Sequence, residues 1–144
     1  ILNFNNFKDI LINSKIQEGL IDIDDTFFKW KNYAKFNLFN SLIHVKNGEL
    51  FLEGSSNINL ININEIFKFL VTPKNYRLKI KNIDLNYSYN FNQKTINLND
   101  IRIDGKYNDK VNKKLNSILI KNDDLQNKIY FKNLLNGALK SYDG

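Results

Sequence analysis

His44, in the run Ser-Leu-Ile-His-Val-Lys-Asn-Gly, is the only imidazole of the chain, and there is no cysteine in its 144 residues. Acid–base or nucleophilic chemistry of the usual kind would have to turn on it. A histidine-dependent triad also needs a nucleophile on an exposed strand-to-helix elbow, and no serine sits in that context. His44 lies instead in an apolar run that reads as a strand, where an imidazole packs or faces solvent. Asp22, Asp24 and Asp25 form the one acidic cluster, Ile-Asp-Ile-Asp-Asp. A calcium loop spaces its oxygen ligands around a central glycine, and that spacing is missing. Alternation with Ile21 and Ile23 makes Asp22 and Asp24 the solvated side of a strand. Asn86-Tyr87-Ser88 matches a glycosylation triplet, as chance allows in a chain with 26 Asn. Tyr87, Tyr89 and Phe91 share one strand face; a base-stacking platform would need basic neighbours, and that strand has none. They are assigned to aliphatic or lipid contacts. There is no glycine-rich phosphate loop. The chain reads as non-catalytic, with no metal or cofactor.

The elements behind these residues show more than the residues themselves. Leu78, Ile80, Ile83 and Leu85 stand in Leu-Lys-Ile-Lys-Asn-Ile-Asp-Leu, and Ile96, Leu98, Ile101 and Ile103 repeat the arrangement in Ile-Asn-Leu-Asn-Asp-Ile-Arg-Ile. Each is two alternating halves separated by a slip of one residue. Side chains alternate across a strand, so an uncorrected slip would send the second half to the other face. One extra residue, a β-bulge, restores the face and bends the strand. Asn82 and Asn99-Asp100 occupy the slips. Ile58, Leu60 and Ile63 approximate the pattern, as do Leu2, Phe4 and Phe7. Strands are expected over 1–5, 8–16, 20–24, 34–46, 49–53, 57–63, 76–91 and 95–104. Turns are expected at Gly19, Asn47-Gly48, Gly54 and Asn92-Gln93. A short helix capped by Asn64 is expected over 65–71, stopped by Pro73.

After Gly105 the period becomes helical. Asn108 caps a stripe of Val111, Leu115, Ile118 and Leu119, and a second stripe runs from Phe131 to Tyr142. The net charge of +6 concentrates here: Gly105–Tyr142 carries eight Lys against Asp109, Asp123 and Asp124. The expected fold is mostly β, an α+β end-piece. A curved antiparallel sheet or groove of bulged strands occupies 1–105, and a basic helical cap occupies 106–144. Val111, Leu115 and Leu119 are expected against the sheet, with Lys110, Lys113, Lys114 and Lys121 in solvent. With no Met and no signal-peptide pattern, the chain is expected to lie inside a longer polypeptide. The abundance of Asn, Ile and Lys beside 2 Arg, 2 Ala and 1 Pro is an A/T-rich codon signature, so single Lys or Asn residues carry little functional weight.

Gly-Leu-Ile-Asp-Ile-Asp-Asp-Thr-Phe-Phe-Lys-Trp, His-Val-Lys-Asn-Gly-Glu-Leu-Phe-Leu-Glu-Gly and Ile-Asn-Leu-Asn-Asp-Ile-Arg-Ile-Asp-Gly-Lys, with the amphipathic stretch that follows, resemble the C-terminal region of AsmA-like bacterial envelope proteins. The resemblance covers most of the chain and lies in strand pattern and turns, not in invariant catalytic residues. It implies a bridge-like lipid-transfer groove in the periplasm, held to the inner membrane by a segment outside this sequence and serving phospholipid transport or outer-membrane assembly. Acyl chains need a continuous apolar strip, worth about 0.8 kcal/mol per buried methylene. The candidates are Leu78, Ile80, Ile83, Leu85, Tyr87, Ile96, Leu98, Ile101 and Ile103. Two other classes stay open: a structural or adhesive β-solenoid module using the same strands with a filled core and no lipid, and a polyanion-binding module using the C-terminal lysines. Nucleic acid is not the expected partner, because the strand-rich part is nearly neutral.

Overall fold

A computed structural model describes residues 7–144; the expected strand at 1–5, with Leu2 and Phe4, lies outside them. Among the described residues ten strands form one antiparallel sheet: β1 (Phe7–Leu11), β2 (Lys15–Gln17), β3 (Leu20–Asp22), β4 (Phe27–Trp30), β5 (Ala34–Lys46), β6 (Glu49–Leu60), β7 (Asn82–Asn90), β8 (Thr95–Ile103), β9 (Lys106–Tyr107) and β10 (Ile120–Lys121). The order along the sheet is β1-β4-β5-β6-β7-β8-β10, so the four longest strands are sequential neighbours. β3 pairs with the far end of β5, beyond β4's reach, and β2 extends β3. The mostly β, α+β class with C-terminal helices is the observed one.

Two-residue turns set three of the registers. Glu18-Gly19, Asn47-Gly48 and Asp104-Gly105 all have positive φ at both positions. That matches the right-handed twist of the strands they join, pairing Gln17 with Leu20, Lys46 with Glu49 and Ile103 with Lys106. The four-residue turn after β7 is held differently: Asn90 Oδ1 accepts from the backbone N–H groups of Asn92 and Gln93, at 2.9 and 3.0 Å.

The expected bulge at Asn99-Asp100 is present. Asp84 faces Arg102 and Asn86 faces Asn99, so Asp100 and Ile101 together oppose Leu85. Asp100 takes φ 48°, a left-handed conformation that Asp and Asn tolerate better than other side chains. The expected bulge at Asn82 is not there. β7 begins at Asn82 and pairs with β6 without a shift. The apparent slip is the strand's start, where Asp104 Oδ1 accepts from the N–H groups of both Lys81 and Asn82 at 2.9 Å. Leu78 and Ile80 therefore precede the strand, in the irregular segment that follows a single 3-10 turn at Lys74–Tyr76.

Two further bulges carry the same signature. Asp9-Ile10 oppose Phe28 and Asn40-Ser41 oppose Gly54, with φ 50° at both Asp9 and Asn40. Gly54 is thus not a turn but the middle of β6. A Cβ there would lie 2.7 Å from the Ser41 Cα, so the bulged backbone leaves room only for hydrogen.

Among the described residues there are four helices: α1 (Ile63–Leu70), α2 (Asp109–Asn116), α3 (Asn122–Leu125) and α4 (Lys128–Ser141). α1 starts earlier than expected because Asn62, not Asn64, is its cap, with Asn62 Oδ1 accepting from the Glu65 N–H. Asn108 caps α2 as expected. Strand alternation puts nearly every aliphatic of the sheet on one face and Asn, Asp, Ser and Glu on the other. α1, α2 and α4 cover one end of the apolar face in two adjoining clusters. One joins Ile80, Ile101, Ile103, Val111 and Leu115 with Leu134, Ala138 and Tyr142 around them; the other centres on Trp30, Ala34, Ile66 and Leu70, with Phe131 and Leu135. Val111 and Leu115 are buried as expected, but Leu119 is 64% exposed. It follows the end of α2, in the connection to β10. The segment 106–144 is likewise not helical throughout, since β9 and β10 return to β8.

Candidate functional site on the apolar face

The nine strip candidates divide by where the helices stop. Ile80, Ile101 and Ile103 are at most 6% exposed, and Ile83, Leu85 and Leu98 pack against the same cluster beneath α2 and α4. These side chains are core, and an acyl chain could reach them only by displacing helices. Leu78 stands outside the sheet. Tyr87 and Ile96 continue the face past the clusters.

Beyond the helices the apolar face runs on. By register, Leu38, Ile43, Leu52, Tyr87, Tyr89 and Ile96 share it across β5, β6, β7 and β8. None belongs to either core cluster. All are partly buried, and Val45, Leu50 and Phe91 continue the surface at 68, 38 and 38% exposure. No charged side chain from these four strands points onto it, because each strand presents its Lys, Asp and Glu to the opposite face. Sequence reading missed Leu38, Ile43 and Leu52. Their alternation was legible, but the registers across β5 and β6 that gather them depend on two strands expected to be separate being one.

Two hydroxyl positions interrupt this surface. Ser41, fully buried, donates or accepts a 2.7 Å hydrogen bond with the Tyr87 hydroxyl. Burial pushes the Tyr87 phenol above its ordinary pKa, the charge of Asp24 adds to this, and the Ser41 bond opposes it. Tyr87 is therefore a neutral, fixed aromatic. Ser56 faces Leu38 on one side and Leu85 on the other, at the step where the covered half meets the open one. Its hydroxyl is the one buried side-chain polar atom without a hydrogen-bond partner among the described residues.

The residues singled out for chemistry are placed in structural roles. His44 Nε2 lies 2.9 Å from Glu53 Oε2, and Ser88 Oγ donates to Glu53 Oε1 at 3.1 Å. Burial raises the Glu53 pKa, but these two bonds and nearby Lys46 outweigh it and hold the carboxyl below its usual range. The carboxylate stands between serine and imidazole, so the imidazole bonds Glu53 and not Ser88. Asp24 Oδ1 accepts the Ser41 N–H freed by the bulge, at 2.6 Å, and Asp22 Oδ1 accepts the Asp24 N–H. Among the described residues no group of three or more His, Cys, Asp or Glu side chains could hold a metal ion. Lys110, Lys113, Lys114 and Lys121 are exposed; Lys110 pairs with Asp143, and Lys113 with Asp109 at 2.7 Å. No helix among the described residues is long and apolar enough to cross a membrane.

No family model matches this chain, and no curated protein or solved structure matches it either.

Proposed function

We propose that this chain is a non-catalytic segment of a lipid-handling envelope protein and holds acyl chains on the uncovered half of its apolar sheet face. The observation that carries the reading is the continuation of one apolar face past its helical cover, across four strands, none of which places a charged side chain upon it. A hydrocarbon chain requires area and exclusion of water but no directed contact, which suits a floor of Leu38, Ile43, Leu52, Tyr89 and Ile96. The AsmA-like resemblance points the same way and supplies the proposed setting: a periplasmic groove, tethered to the inner membrane by a segment outside this sequence.

The test is lipid co-purification read by mass spectrometry beside thermal unfolding. Ile43→Asp and Leu52→Asp are expected to remove bound lipid while the cooperative transition persists, since both side chains border solvent. Lipid retained by both variants would sink the proposal.

A second reading has its own support. Six of the nine strip residues are packed under helices, as in a structural module with a filled core. In that case the wild-type protein carries no lipid at all.

A further inference from the structure

On the opposite, polar face a cleft of about 700 Å³ opens where β6, β7 and β8 meet the end of α2 and the 117–119 connection to β10. That size suits small-molecule sites. The register sets Phe51, Asn90 and Thr95 in one row and Ser88 and Asn97 in the next, with Asn99 one step further along β8. Asn116 and Leu119 rise beside them. Glu49 closes one end: its carboxylate accepts from Asn90 Nδ2 at 2.8 Å and from Gln93 Nε2 at 3.1 Å, so two amides hold it in place. Among the described residues, the side chains of Asn97, Asn99 and Asn116 make no hydrogen bond within the protein and are exposed at the cleft.

The chemistry of this lining is selective. Each primary amide offers two donors and an acceptor, the complement of hydroxyl groups that both give and receive. Phe51 and Leu119 supply apolar surface for the C–H face of a ring. The chain has 19 Lys, yet among the described residues neither Lys nor Arg lines the cleft, and Glu49 is its one charged group. Phosphate- or sulfate-bearing ligands call for Arg or Lys. We infer that the cleft binds a neutral carbohydrate, with Asn97, Asn99 and Asn116 reading its hydroxyls and Phe51 packing against a ring face. The inference does not rest on lipid binding, which uses the other face of the sheet; Ile96, at the edge strand β8, is the one residue named for both.

Isotope-labelled protein titrated with maltotriose and with chitotriose tests it by NMR. The expected result, for one trisaccharide or both, is saturable shifts in the side-chain amides of Asn97, Asn99 and Asn116, with a Kd of about 1 mM. Asn97→Ala combined with Asn99→Ala should weaken binding at least about tenfold, roughly 1.4 kcal/mol, at an unchanged melting temperature. Asn75→Ala and Asn133→Ala, exposed but remote from the cleft, should leave it unchanged. The inference is overturned by an absence of saturable shifts with both sugars up to ~20 mM, by shifts spread over asparagines elsewhere, or by wild-type affinity in the double variant. Preference for heparin over both trisaccharides also overturns it, in favour of a polyanion site.

Discussion

Asn112 shows how one residue couples the sheet to its helical cover. The bulge at Asp100-Ile101 takes the Ile101 backbone out of the regular ladder, and Asn112 on α2 replaces the lost partners. Its Oδ1 accepts from the Ile101 N–H and its Nδ2 donates to the Ile101 carbonyl, both at 2.8 Å, in a site where Asn112 is 2% exposed. Asp24 serves the equivalent N–H of Ser41 at the other long-strand bulge. Leaving a buried donor unsatisfied costs about 1–3 kcal/mol. Asn112→Leu, similar in size, should therefore lower unfolding stability by about 2 kcal/mol in urea titration, since the Ile101 N–H is orphaned while its carbonyl keeps the Asn108 N–H at 3.2 Å. A loss below about 0.5 kcal/mol would show that water serves Ile101 equally well. Gly54 marks the same device from the opposite strand. Gly54→Ala sets a methyl against Ser41, with its Cβ 2.7 Å from the Ser41 Cα. Backbone cannot rotate away as a side-chain tip can, so a loss of about 3 kcal/mol is expected in the same assay. Tolerance of alanine there would mean that the bulge is not at Asn40-Ser41.

Among the elements, α4 gives the contrasting case. Gly137 lies inside it and should weaken it by about 1 kcal/mol relative to alanine. The close approach to α2 does not require the glycine, because a Cβ would meet only Lys114 Cε, at 3.4 Å, an ordinary contact. Gly137→Ala is expected to raise the melting temperature by about 3 °C. A fall would mean that α4 packs closer to α2 than this contact allows. α1 shows how a boundary is decided by local chemistry. Asn62 and Asn64 both precede the apolar run Ile66, Phe67 and Leu70. Asn62 stands three residues before Glu65, the spacing of a helix-start signature, and Glu65 donates its N–H to the Asn62 side chain.

For the molecule as a whole, the helices cover only part of the face they pack on. Ile101 is 2% exposed beneath α2, so Ile101→Asp buries a carboxylate with no cation in its cluster. This variant should lose its cooperative thermal transition in circular dichroism. A folded Ile101→Asp protein would mean that the helices lift readily and that the covered half is itself an accessible groove. The contrast with Ile43→Asp on the same sheet face maps where cover ends, with no assumption about which ligand is bound.

Much of the fold was legible in local pattern. Period-2 alternation marked β5 with its observed bounds, Asn47-Gly48 marked its hairpin, and Asn108 with Val111 and Leu115 marked α2. These are decided within a few residues, by side-chain alternation, by the few residues that accept positive φ, and by capping. The slip at Asn99-Asp100 was a bulge while the identical pattern at Asn82 was a strand start, because Asp104, distant in sequence, takes the N–H groups of Lys81 and Asn82. Gly54 looked like a turn from its neighbours and became mid-strand because Asn40-Ser41 bulges opposite it. Asn112 could have been suspected from its spacing with Asn108, Val111 and Leu115, but among 26 asparagines no local feature separates a buried one from a solvated one. The apolar strip itself was legible; which half of it the helices cover was not. Alternation states which side chains share a face, whereas cover depends on how far a distant helix reaches across it, and only the tertiary structure sets that distance.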